Sequence, residues 1–169
     1  SIYLRTGRPR DAETILKRAL GETPKDAYDS LFFFQCVKAM VENAVQKNDD
    51  EGVLRAALPA YEGLYTLVAR PEYTTEAYDI LAEILQYVGR SHVNLGMIAE
   101  GEKYYDKCYD CIQKVRALDS SWKHDYYATV FLFNIAISYS ERNDYPTAEK
   151  WINYAEAITR DLASKENVP

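Results

Sequence analysis

Apolar residues recur along this chain at steps of three and four, the spacing of one face of an α-helix. Near the C-terminus Ala128, Leu132, Ile135, Ala136 and Tyr139 form such a stripe, which the polar string Ser140-Glu141-Arg142-Asn143-Asp144 interrupts. Pro146, suited to a first helical turn, opens a second stripe through Ala148, Trp151, Ile152, Ala155, Ile158 and Leu162. Two antiparallel helices joined by a tight turn are the simplest arrangement. Upstream, Leu95, Gly96 and Ala99 precede the polar Glu100-Gly101-Glu102-Lys103, and Tyr105, Cys108, Ile112, Val115 and Leu118 follow. Earlier still, Leu31, Phe34, Val37, Val41 and Ala44 lead to Gln46-Lys47-Asn48-Asp49-Asp50, then Val53, Ala57, Tyr61, Leu64 and Val68. The N-terminus begins inside such a unit, with Tyr3, Thr6-Gly7-Arg8-Pro9, then Ala12, Leu16, Ala19 and Leu20, closing at Pro24.

These patterns predict an all-α chain of seven helices, at 9–21, 26–47, 50–69, 73–100, 102–118, 122–142 and 145–163. Thr23-Pro24-Lys25-Asp26 resembles a capping box, and Thr74 or Thr75 can cap the fourth helix. Pro59 argues for a kink or break in the third. The long 73–100 segment reads as one helix because its stripe runs from Tyr78 through Leu81, Leu85, Val88 and His92 to Ala99; a break at Gly89 is the rival.

The paired stripes resemble the tetratricopeptide repeat, whose pattern is W-x2-L-G-x2-Y, then A-x3-F, then P over about 34 residues. Leu132, Ile135-Ala136, Tyr139, Tyr145, Ala148, Ile152 and Ala155 stand at its offsets. A second copy has Leu95-Gly96, Tyr105 and Ile112, with Cys108 in place of the small alanine, and an N-terminal fragment has Tyr3, Gly7, Ala12, Leu16, Ala19 and Pro24. With Ala12, Val53, Cys108 and Ala148 as anchors the spacings are 41, 55 and 40, all above the family period. The resemblance implies helix pairs stacked as a right-handed superhelix over residues 1–169, a segment of a larger protein, with a concave groove that binds a peptide or helix and no catalysis.

The 169 residues suffice for one domain or a short array. A net charge of −6 and a pI near 5.0 argue against nucleic acid as the partner of this segment. No stretch of 18 apolar residues is free of charge, so no membrane span is expected. Three cysteines cannot all pair within one chain and no asparagine begins an N-x-[ST] acceptor, which favours a reducing, cytoplasmic location over the periplasm.

Candidate chemistry is thin. Cys108-Tyr109-Asp110-Cys111 has C-x-x-C spacing, but Cys36, His92 and His124 supply no second ligand pair and both thiols fall on a helical stripe, so buried packing is expected rather than metal or redox work. Gly96 to Lys103 outlines a phosphate loop, yet Glu102 stands where lysine is needed. His92 reads as a packed core histidine and His124 as an exposed residue at a helix start. Arg5, Arg8, Arg10, Lys17 and Arg18 read as a solvated helix face. Aromatic residues make up 13%, and Phe32-Phe33-Phe34 must turn at least one ring toward a neighbour or partner.

The resemblance places the groove at Gln35, Lys38 and Glu42, then Arg90, Asn94 and Met97, then Phe133, Asn134, Ile137 and Glu141. Lys38 and Asn94 match the family's carboxylate-gripping residues, but Glu42, Val130 and Asn134 replace an asparagine, a lysine and an arginine. An aromatic and aliphatic groove suits an amphipathic helix or extended apolar segment. No metal or cofactor is expected, and self-association is compatible. The alternative is a regulatory sensor holding a peptide or small effector for an attached output domain.

Overall fold

The computed structural model describes residues 27–68, 74–119 and 121–164. Six α-helices lie in these residues, and no strand occurs among them: α1 Ala27–Gln46, α2 Asp50–Val68, α3 Thr74–Asn94, α4 Ile98–Leu118, α5 Trp122–Ser140 and α6 Tyr145–Ser164. The expected 9–21 helix, its five basic residues, the 23–26 capping box and the N-terminal repeat fragment lie outside the described residues. Pro59 does not break α2.

The expected 73–100 helix is corrected. Its stripe continues through Gly89 but ends at Asn94, and α4 starts at Ile98 instead of residue 102. Gly96, at φ 84°, occupies the left-handed conformation that stops a helix. Asn48 (φ 53°) and Asn143 (φ 63°) do the same in the other two turns. Each turn closes identically. The amides of Asp49, Met97 and Asp144 donate to the carbonyls of Ala44, His92 and Tyr139, while those of Asn48, Gly96 and Asn143 donate to Val45, Val93 and Ser140. This pair of hydrogen bonds is the Schellman motif. Asp49 and Asp144 then cap the following helices, accepting from the amides of Gly52 at 2.8 Å and Thr147 at 3.3 Å, whereas Met97 offers α4 no side-chain cap.

The turns set a period. First helices begin at Ala27, Thr74 and Trp122 and second helices at Asp50, Ile98 and Tyr145, so the intervals between successive hairpins are 47 and 48 for the first helices, and 48 and 47 for the second. The small-residue anchor of the middle hairpin is therefore Gly101, not Cys108. Gly101 is buried, and a Cβ there would lie 2.5 Å from a Val93 methyl and 2.8 Å from the Gly89 carbonyl. α3 and α4 approach this closely only because both positions are glycine.

Each helix packs on the next in sequence, α1 also packs on α3, and α3 on α5. One core runs through the array, from Phe34, Val37 and Val41 through Leu81, Leu85 and Tyr105 to Leu132, Ile135 and Trp151. Polar ties link the hairpins. The Tyr105 hydroxyl donates to Ser138 Oγ at 3.0 Å, and the Arg142 guanidinium donates to the Val93 carbonyl at 2.7 Å. Arg116 on α4 reaches both Asp125 on α5 and Asp161 on α6, each at 2.7 Å.

Candidate docking site on the first helices

A cavity of about 550 Å³ opens between α1, α3 and α5, the first helices of the three hairpins. Gln35, Lys38 and Asn134, all expected groove residues, line it together. Glu42 joins them through a 3.9 Å contact with Lys38. The others lie elsewhere. Arg90 and Asn94 continue α3 beyond the cavity, Ile137 continues α5, and Glu141 caps its C-terminal end. Met97 sits in the α3–α4 turn, and Phe133 points off the cavity lining. Asn94 is spent on structure, donating to both Asp50 carboxylate oxygens at 3.2 Å and so joining the first two hairpins.

Glu76, Asp79, Glu83, Tyr87 and Tyr127 also line the cavity and were not expected there. Asp79, Glu83 and Tyr87 follow at steps of four on α3, away from its apolar stripe, so they read in sequence as a solvated face. Tertiary packing closes α1 and α5 over them. Lys38 Nζ lies 2.6 Å from Glu83. Burial alone would depress the Lys38 ammonium, but the Glu83 hydrogen bond and the charges of Glu83 and Glu42 hold it above its ordinary value. Burial raises the Glu83 carboxyl against the pull of Lys38. Burial and then the charges of Glu83 and Glu42 push the Tyr87 phenol up to about 12.

His124 is not exposed as expected. It wedges between Asp79 and Asp119, with ring nitrogens 2.9 and 3.1 Å from their carboxylates. His92 packs as expected: Nδ1 is 2.8 Å from the Val88 carbonyl and the ring stacks on Tyr104.

A second feature adjoins the cavity. Helix α5 is apolar on nearly every side, and Tyr126 (54% exposed), Phe133 (41%) and Ile137 (53%) keep much of their surface exposed among the described residues. At the 47-residue interval that separates the turn residues Gly96 and Asn143, the same positions on α3 are Asp79, Gln86 and Arg90. On α3 this face meets α5, where Asn134 donates to Gln86 at 3.2 Å. On α5 the corresponding side chains stay partly exposed.

No family model, curated protein or solved structure matches this chain. The site is therefore read from its own side chains. Among the described residues no cluster of His, Cys, Asp and Glu could hold a metal, and no helix is long and apolar enough to cross a membrane.

The C-x-x-C thiols lie buried in α4. Burial pushes Cys111 up to about 12 and Cys108 well above its ordinary value. Neither supplies a thiolate near neutrality. A thiol reagent at pH 8 is expected to leave Cys36, Cys108 and Cys111 unmodified until urea is added; fast native labelling would contradict their burial. Unfolded thiols lose their protons near pH 9 while the folded ones keep them, so stability is intact below pH 9 and falls as pH rises toward 12. The slope is about 1.4 kcal/mol per pH unit for each retained proton. Urea midpoints at pH 8 and 10.5 measure it, and substituting both thiols with alanine should shrink the difference to the part set by Tyr87, Tyr105 and Tyr139, whose phenols burial also raises.

Proposed function

We propose that this chain is a tetratricopeptide-like array whose first-helix face docks a helix or peptide of a protein partner, without catalysis. The uncovered apolar stripe of α5 carries this reading. By the array's own repeat it occupies the place where another helix would lie, and exposed apolar patches beside polar rims mark protein interfaces. Three hairpins in sequential contact support the family resemblance. Their period exceeds the family's by nearly four helical turns per pair, close to two whole turns in each helix, which preserves the facing surfaces. A right-handed superhelical course belongs to the same proposal.

Phe133→Ser with Ile137→Ser is expected to lower partner capture at least tenfold, scored by mass spectrometry against the unaltered chain, with helical circular dichroism unchanged. Unaltered capture by the double variant would reject the α5 face. The sensor alternative draws on the cavity, whose volume falls within the range of small-effector sites, about 300 to 1,000 Å³. Calorimetric binding of a small molecule with no captured protein would favour it.

A further inference from the structure

The cavity between α1, α3 and α5 carries unbalanced charge. Glu76, Asp79 and Glu83 line it against a single ammonium, Lys38. Lys38 is already spent on Glu83, so it offers nothing to an incoming anion. Glu76 is exposed and has no ion pair among the described residues. Asp79 lies 2.9 Å from the imidazole of His124 and also feels the charges of Asp119 and Lys38. Tyr87, Tyr127 and Phe131 add aromatic surface on which a cation can rest. A guanidinium suits such walls, because it stacks on rings and grips carboxylates with its planar fork.

We infer that the cavity takes the guanidinium or ammonium group of a basic side chain presented by the docked protein, with Glu76 and Asp79 as its carboxylate partners and Tyr127 as an aromatic wall. This deepens the docking reading and rests on it. The anchor gives selectivity that the α5 stripe lacks, since an apolar ridge accepts many helices whereas a carboxylate pair beside aromatic rings favours a cation. The surrounding groups agree: the site keeps the Lys38 ammonium protonated despite burial and disfavours a phenolate at Tyr87.

The probe is N-acetyl-arginine methylamide, with the uncharged citrulline compound as its match and amide nitrogen–proton spectra as the readout. Saturable shifts at Gln35, Glu83 and Tyr127 are expected with arginine, and at least tenfold weaker binding with citrulline. Glu76→Lys, a change at an exposed position, should weaken the arginine compound at least tenfold while thermal unfolding stays unchanged. Absence of saturable shifts, equal binding of the two compounds, or indifference to Glu76→Lys would overturn the assignment. Spermidine separates the sources: binding more than tenfold tighter than an arginine-containing tetrapeptide would assign the cavity to a free amine and reject a protein side chain. Phe133→Ser with Ile137→Ser should leave arginine binding intact, so loss of the docking reading and loss of this anchor register separately.

Discussion

Gly101→Val is expected to destabilise the protein by more than about 3 kcal/mol, and Gly101→Ala by a smaller but measurable amount. A Cβ at this position would sit 2.5 Å from Val93 Cγ2, 2.8 Å from the Gly89 carbonyl and 3.3 Å from the Val93 amide. Two of those three neighbours are backbone, so no side-chain rotation relieves the clash, and α3 and α4 must move apart. That separation disturbs the ring of Tyr105, which already occupies the space a Cβ on Gly89 would need. Helix propensity acts the other way, since alanine in a helix is favoured over glycine by about 1 kcal/mol. Urea unfolding followed by circular dichroism measures the balance. A neutral or stabilising Gly101→Ala would mean that the two helices do not cross where they are described.

Arg116→Met should cost about 3 to 5 kcal/mol. Asp125 is almost wholly buried, and the Arg116 Nε donates to it at 2.7 Å while a second guanidinium nitrogen holds the exposed Asp161. Methionine keeps much of the stem's packing and removes the charge that faces Asp125 at 2.7 Å in the α4–α5 contact. Arg116→Met with Asp125→Leu should recover most of the loss, because replacing both partners removes the buried carboxylate along with its cation. Asp161→Asn isolates the exposed arm, which contributes at most about 1 kcal/mol. Equal losses from Asp161→Asn and Arg116→Met would place the energy at the surface pair instead.

The elements that carry strong periodicity were legible from residues alone: α1, α2, α5 and α6 fall within two residues of expectation. The α3–α4 turn was not. Leu95 and Ala99 extend the apolar spacing across it, and Met97 replaces the aspartate that marks the other two helix starts. The polar run Glu100 to Lys103, read as a turn, lies within the first two turns of α4, with Gly101 turned inward. The recurrence of Asn48, Gly96 and Asn143 at the hairpin interval is the signal that locates it. At the cavity, the offsets carried over from the resemblance include Gln35, Lys38 and Asn134 but not Glu76, Asp79, Glu83, Tyr87 or Tyr127, because a polar side chain on a solvated helix and one closed in by two neighbouring helices look alike in sequence.

Three turns of one geometry give the described hairpins a nearly constant repeat length. A molecule built this way can lengthen or shorten by whole units while every interface keeps its register. An insertion of half a unit would turn oily faces outward, so length variation in such a chain should be quantised.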